Sequence, residues 1–199
     1  MDCIEINQRT RGHTERVAEI NSAAPDCTCE LTQMSSYSSG PVSASESLAR
    51  FIFSPVHVRP NGSLKPSVFS HVASKGCSIQ RDSIASSTEI GTFIVAFLSS
   101  NESLGWLGLL IGRCEHVREI RVGDSNHPAV CVYDTGNSDN PSHGEMGQTH
   151  YVVNEADGPE LRRRLFVAFN NGEMTQPTGF RAGQIWSELP LTLRDRTKK

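Results

Sequence analysis

The chain has 199 residues, of which 37% are hydrophobic and 21% charged, and its formal net charge is -3 at pH 7. These values predict one globular domain and argue against a protein that holds nucleic acid mainly by overall positive charge. The longest apolar stretches, IGTFIVAFL and LGWLGLLIG, are well short of the ~20 residues that a membrane-spanning helix needs. We therefore expect them in the core and expect no membrane partner.

Residues 1–45 differ in composition from the rest of the chain. They are rich in serine, with glycine and proline interspersed and few large apolar side chains. Because such a segment buries too little surface to offset the entropy lost on ordering, we predict a flexible or loosely docked arm that can bind a protein partner. The first residues lack the apolar region of a secretory signal, which favours a cytoplasmic location.

The cysteines are Cys3, Cys27, Cys29, Cys77, Cys114 and Cys131. Without an export signal they are predicted to be reduced thiols. Cys27 and Cys29 are separated by one residue, but no second pair and no histidine cluster accompanies them. No metal site is therefore predicted there.

Three short strands are predicted after the arm. ARFIFS has strand character and ends at Pro55, and Asn61-Gly62 is a strong turn signal. SVFSHV and CSIQR are predicted as the second and third strands, with a turn at Lys75-Gly76 between them.

A helix follows, introduced by Ser86 and Glu89 as a capping pair. WLGLLIGRC, VREIRV and AVCVYD are predicted as further strands, the first of them central in the sheet because it is apolar throughout. The last predicted helix, GPELRRRLFVAF, carries Leu161, Leu165 and Phe169 at intervals of four, which forms one apolar stripe.

Together these elements predict a single α+β domain over residues 46–186. We expect one mostly antiparallel or mixed sheet with two main helices. Residues 187–199 have an excess of basic side chains and are predicted to form a frayed tail.

The segment from residue 48 to residue 81 contains five basic residues, two histidines and no acid. Such a concentration suits the phosphate groups of a nucleotide or of RNA. The alternative is a solvated hairpin face whose acidic partners come from elsewhere in the chain. Arg50 lies in an apolar strand, where an unpaired guanidinium is unfavourable, so we predict that it faces a polar cavity or a carboxylate.

A second candidate region is DNPSHGEMGQTH, from residue 139 to residue 150. Its first three residues predict a rigid turn. On an extended segment, His143 and Glu145 share a face, where a carboxylate can orient an imidazole for acid-base catalysis. The chain contains no P-C-x-x-C, no P-loop and no G-x-S-x-G motif, which argues against a zinc deaminase, a P-loop NTPase and a hydrolase of the nucleophile-elbow type.

The order of these motifs, from LARFIFSPVHVRPNGSLKPSVFSHVASKGCSIQR to VYDTGNSDNPSHGEM and ELRRRLFVAF, resembles a family of short, uncharacterised bacterial proteins. The resemblance covers about residues 48–169. The residues to which it points are Arg50, Phe69, Ser78, Asn140, Pro141 and His143. This chain has CSI where the family pattern has a leucine-serine-valine strand, and it adds the serine-rich arm.

The layout also resembles ADP-ribosyltransferase-like domains, which hold NAD in a split sheet. Such domains carry an arginine or histidine on the first strand, a serine or tyrosine on a middle strand and a glutamate late in the chain. Arg50, Ser78 and Glu145 occur in that order. The resemblance implies that Arg50 binds an NAD phosphate, Ser78 shapes the nicotinamide pocket and Glu145 stabilises the ribose cation as nicotinamide leaves.

Three functions remain as alternatives. The first is a small bacterial enzyme of toxin or defence type that acts on a nucleotide such as NAD or on a nucleic acid. Its candidate catalytic residues are Arg50, His57, His143 and Glu145, and its candidate substrate contacts are Lys65, Ser78 and Asn140. The second is a metal-independent RNase that uses His57 and His143 as an acid-base pair, with Arg50 or Lys65 stabilising the phosphorane charge. The third is a non-catalytic binding subunit whose arm, residues 1–45, docks a partner.

Overall fold

The structure is a computed structural model that describes residues 2–9, 13–81, 85, 87–101 and 103–170. In chain order its elements are α1 (Cys3–Arg9), α2 (His13–Ala23), a first 3-10 segment (Thr28–Leu31), β1 (Ser47–Ser54), a second 3-10 segment (Pro66–Ala73), β2 (Cys77–Arg81), α3 (Ser87–Ser100), β3 (Gly105–Arg113), α4 (Cys114–Arg118), β4 (Val130–Asp134), β5 (His143–Gln148) and α5 (Asp157–Asn170). The predicted capping serine at 86, the end of the domain at 186 and the tail at 187–199 lie outside the described residues.

The five strands form one sheet in the order β3-β1-β2-β5-β4. Each neighbouring pair is antiparallel. The predicted α+β class with one mostly antiparallel sheet is thus confirmed. The two long helices, α3 and α5, are the two that the sequence predicted, and α1, α2 and α4 are shorter additions.

The two faces of the sheet are covered differently. One face packs against α4, α5 and the second 3-10 segment around a large apolar core. On the opposite face, α3 covers β1 and β3, while α1 and α2 cover β4 and β5. The middle strand β2 therefore lies between two separate helical layers on this second face.

Helix α5 buries the predicted stripe. Leu161, Leu165 and Phe169 are all buried in the main core. A side chain at Gly112 would place its Cβ 2.9 Å from the Phe169 ring, so the missing side chain lets α5 lie close to β3. Burial of this stripe explains why its four-residue period was a reliable helix signal.

Two predicted strands are wrong. SVFSHV forms the second 3-10 segment, with Pro66 in its first turn and Val68, Phe69 and Val72 buried. VREIRV begins inside α4, where Cys114 and Val117, three residues apart, are buried. In both segments the apolar spacing fits a helical turn as well as it fits a strand, and the contacts of the core decide between them.

The position predicted for β3 is also wrong. It lies at one edge of the sheet and not in the centre. It is apolar on both sides because α3 packs on one face of it and α5 on the other. Coverage by helices, and not a central position, accounts for its composition.

The segment 1–45 differs from the predicted loose arm. Ile6, Ile20 and Met34 are buried in a cluster against β4, and two disulfides, Cys3–Cys29 and Cys27–Cys131, cross-link it. The prediction of reduced thiols is therefore wrong for four of the six cysteines, while Cys77 and Cys114 are free and buried. Cross-links supply order that this composition does not supply by apolar burial alone.

Arg81 fastens the end of this segment to the sheet. Its guanidinium, 2% exposed, binds both carboxylate oxygens of Glu46 at 2.6 and 2.8 Å. It also donates to the carbonyl oxygen of Gly40 at 2.5 Å and lies 3.5 Å from Asp134. Acids from outside the basic stretch thus neutralise one of its five cations.

Candidate functional site at the opening between β1 and β2

The sheet opens beside β2. β1 and β2 are paired only at Leu48–Arg81 and Ala49–Gln80. Beyond that point β1 continues with β3 alone, and β2 continues with β5 over residues 77–80. The backbone of β2 near Ser78 therefore has no ladder partner from β1.

Arg50 lies at this opening. Its Nη1 donates to the carbonyl oxygen of Ser78 at 2.8 Å, and Nε and Nη2 donate to the carbonyl oxygen of Val68 at 3.3 and 3.2 Å. The guanidinium takes the place of the next backbone donor of β1. Among the described residues Arg50 forms no ion pair, so the predicted carboxylate partner is replaced by two carbonyl groups.

Ser78 and Glu145 are directly opposite one another in the β2–β5 ladder. Paired residues share a face and neighbours along a strand alternate. Ala49 is opposite Gln80, and Gln80 lies on the same face of β2 as Ser78. Arg50, the next residue after Ala49, therefore points to the other face, which carries the second 3-10 segment. Ser78 and Glu145 point to the opposite face, and the two sides meet at the Ser78 backbone.

Helix α2 covers Glu145. The carboxylate is fully buried, with Oε1 3.5 Å from Nη2 of Arg16. Burial lowers the pKa of the Arg16 guanidinium, which nevertheless stays charged at neutral pH because arginine titrates so far above it. Glu145 therefore lies beside a positive charge in a region that excludes water.

The loop before β5 is a hydrogen-bonded turn. Asn137 and Asn140 exchange backbone hydrogen bonds at 3.1 and 3.2 Å, and the Asn140 side chain accepts from Ser142 at 3.2 Å. Nδ1 of His143 lies 2.9 Å from the hydroxyl of Thr135. His143 and Glu145 share a face of β5 as expected, but His143 is buried and fixed by Thr135, so it belongs to a structural corner of the site.

His57 lies at the far end of β1. Its Nδ1 accepts a hydrogen bond from the backbone N–H of Phe53 at 3.0 Å. Burial, together with the positive charges of Arg50, His71 and Lys65, lowers its pKa to about 4. His57 is thus a neutral imidazole with its proton on Nε2.

Basic groups collect around the Arg50 end of the opening. Burial lowers the pKa of His71, and the positive charges of Arg50 and Lys75 lower it further. Lys65 donates to the carbonyl oxygens of Pro55 and Val56 at 2.9 and 3.3 Å. Among the described residues, every charge that contributes to the pKa shifts of His57 and His71 is positive.

The structure does not bring His57 and His143 together. His143 is opposite Gln80, which is opposite Ala49, whereas His57 is bonded to Phe53. At ~3.3 Å per residue, the distance along β1 from Ala49 to Phe53 alone is roughly 13 Å. An acid-base pair across one phosphate therefore has no support in this arrangement.

Sequence reasoning missed Arg16, Thr135 and His71. Arg16 lies in a segment that was predicted to be loosely ordered, and its contact with Glu145 joins residues 129 positions apart. Sequence spacing carries no signal for such a contact. His71 was counted in the basic stretch, but its predicted strand gave it no place beside Arg50.

Within the described residues, one group of side chains has the spacing of metal ligands. Cys27, Glu30 and Cys131 offer atoms within 4.8 Å of one another. The two sulfurs are joined, and the Glu30 carboxylate is occupied by Arg118 at 2.6 Å and by the backbone N–H of Val132. These residues therefore do not fit a metal ion.

Comparison with protein-family models gives no match, and neither a curated protein nor a solved structure matches the chain. The described residues contain no helix with the length and apolar character needed to cross a membrane.

Proposed function

We propose that the protein is an ADP-ribosyltransferase-like enzyme of toxin or defence type that binds NAD at the opening between β1 and β2. The observation that carries the proposal is the 2.8 Å bond from Arg50 to the Ser78 carbonyl at the point where the sheet opens, with Ser78 opposite Glu145. Arg50, Ser78 and Glu145 lie on three adjacent strands, β1, β2 and β5, with Arg50 on one face of the sheet and Ser78 and Glu145 on the other.

The Arg50 side of the opening suits the diphosphate of NAD. Arg50 uses one N–H of each nitrogen in its bonds to Val68 and Ser78, which leaves two N–H donors for an anion because a guanidinium has five. His71 and Lys75 add positive charge nearby. Charge-assisted hydrogen bonds to phosphate are roughly twice as strong as neutral ones.

The Glu145 side suits the nicotinamide ribose. When the bond from ribose C1′ to the nicotinamide nitrogen breaks, nicotinamide leaves with the bonding electrons and positive charge remains on the ribose. A carboxylate in a water-excluded site stabilises that charge more strongly than one in water. Attack on C1′ by water or by an acceptor group then completes the transfer.

A non-catalytic binding subunit is the second candidate function. It is favoured by the exposure of two large apolar side chains in the N-terminal segment, Leu31 at 81% and Tyr37 at 60%. A partner that covered both side chains would remove this apolar surface from water. In that function the buried Glu145 and His143 are structural.

Thermal unfolding with and without NAD tests the proposal. At ~100 times its dissociation constant, NAD should stabilise the native protein by about 2.7 kcal/mol, which for a chain of this size raises Tm by about 5–10 °C. Measurements are made under reducing and non-reducing conditions because two disulfides lie beside the site. Release of nicotinamide is followed in parallel.

Glu145→Gln should keep NAD binding within a few fold and abolish nicotinamide release, because it removes the charge and keeps the shape. Asp157→Asn is the matched control, since Asp157 is also a buried carboxylate but lies at the start of α5, on the other face of the sheet. It should lower Tm without changing turnover of the remaining folded protein. No NAD-induced shift under either condition refutes the proposal and leaves the binding subunit.

A further inference from the structure

The covering of Glu145 is a discrete unit. Helices α1 and α2 lie on β4 and β5, and Val17 of α2 sits over two glycines. A Cβ at Gly147 would be 2.7 Å from Val17, and one at Gly76 would be 2.4 Å from it. The close approach of α2, which brings Arg16 to Glu145, therefore depends on the absence of side chains at these two positions.

Disulfides close this unit and attach it to the sheet. Cys3–Cys29 joins the start of α1 to the first 3-10 segment, so both helices lie inside one covalent loop. Cys27–Cys131 then attaches that loop to β4. Cys131 pairs with Gly147 in the β4–β5 ladder, two residues from Glu145.

The remaining contacts of the unit are non-covalent. Asn21 bridges the Tyr133 hydroxyl at 2.5 Å and the carbonyl oxygen of Gln148 at 2.7 Å. The Arg16–Glu145 contact is long, at 3.5 Å, and Nε of Arg16 has no hydrogen-bond partner within the described ranges. These contacts and the buried cluster of Ile6, Ile20 and Met34 position α2, and the two disulfides add a covalent constraint on its departure from the sheet.

We propose that residues 3–29 form a redox-latched cover that holds Arg16 against Glu145 and opens when the two disulfides are reduced. Each bond takes two electrons and two protons from a dithiol, which becomes a disulfide, and yields two protein thiols. The consequence for catalysis depends on the proposed function: the closed cover keeps the ribose side of the site from substrate. A reducing compartment would then favour the open form.

Hydrogen-deuterium exchange of the full chain, with and without dithiothreitol, tests the cover without any ligand. Reduction should accelerate exchange in α2 and β5 by about tenfold or more, because local opening becomes easier, and should leave α5 on the other face unchanged. Cys27→Ala/Cys131→Ala should show the faster exchange without reductant. Cys77→Ala/Cys114→Ala, which removes two free buried thiols, should not.

A second variant opens the cover without altering a thiol. Gly147→Ala should displace Val17 and accelerate exchange in α2 in the oxidised protein. Gly158→Ala is the matched control, because its nearest neighbour would lie 3.7 Å away, an ordinary contact. Unchanged exchange in α2 and β5 after both bonds are shown by mass spectrometry to be reduced would overturn the proposal.

The NAD titration separates this proposal from the proposed function. Tighter NAD binding after reduction, by about tenfold or more, supports both. Faster exchange without NAD binding supports the cover and refutes the NAD site. Equal NAD binding in both redox states, with unchanged exchange, overturns the cover and supports the NAD site.

Discussion

The Cys27–Cys131 cross-link should be a large contributor to stability. Its sulfurs join residues 104 positions apart, so the bond removes a long loop from the freedom of the unfolded chain. The loop-closure relation gives about 4.7 kcal/mol for a separation of this size. That is a large share of the 5–15 kcal/mol by which typical domains are stable.

The perturbation is the double variant Cys27→Ala/Cys131→Ala, compared with Cys77→Ala/Cys114→Ala. Both variants remove two buried sulfurs, so the loss of packing is similar, and only the first removes a covalent bond. Urea unfolding at 25 °C should show that the first is less stable than the second by about 4–5 kcal/mol. The difference in Tm should be about 10–20 °C.

Reduction of the parent protein is the corresponding control. Dithiothreitol should lower the stability of the parent and of the Cys77/Cys114 variant, and should have a smaller effect on the Cys27/Cys131 variant, which retains only Cys3–Cys29. If the two double variants unfold at the same urea concentration, Cys27 and Cys131 are not joined in the protein. The reduced thiols expected from the sequence would then be correct.

Three further outcomes are expected. His57 should stay neutral down to about pH 4, because its pKa is lowered to about 4. The unfolded chain binds this proton near pH 6.5, so the contribution of His57 to the free energy of unfolding is complete above that pH. It is lost as pH falls towards 4, by up to ~1.4 kcal/mol per pH unit. A His57 resonance that titrates near pH 6.5 in NMR would contradict the buried position. Arg81→Met should cost about 3–5 kcal/mol in urea unfolding, because it leaves the Glu46 carboxylate without its bidentate partner. Arg163→Met, at an exposed pair, should have little effect. Similar losses in the two variants would show that Arg81 does not hold the segment. Burial raises the pKa of the Cys114 thiol to about 12, so a thiol reagent at pH 8 should modify it only after unfolding, and rapid labelling of the native protein would argue against its burial.

The sequence predicted those elements whose pattern is local and strong. The stripe on α5 and the apolar strands β1 and β4 have one-sided or complete burial that their spacing reports directly. The segment SVFSHV was misassigned because Val68 and Val72 are four residues apart while Phe69 breaks the alternation expected of a strand. Short apolar runs of this kind take their form from the core that they contact.

The candidate site was predictable only in part. Arg50, Ser78 and Glu145 were recognised by residue type and order, but the strand order that makes them neighbours is a non-local property. Disulfide pairing has the same limitation, since spacing alone does not show which cysteines meet. The contact of Arg16 with Glu145 was unpredictable for both reasons, because it depends on the strand order and on where the cross-linked helices lie.

Glu30 covers an edge of the sheet. Its carboxylate accepts the backbone N–H of Val132 on β4, the outer strand. A bare outer strand is a template for pairing with another chain. The 3-10 segment that carries Glu30 is part of the disulfide-linked unit, so its release would uncover that edge. Opening of the cover would then expose β4 to a second copy of the chain, and self-association of the reduced protein should increase with its concentration.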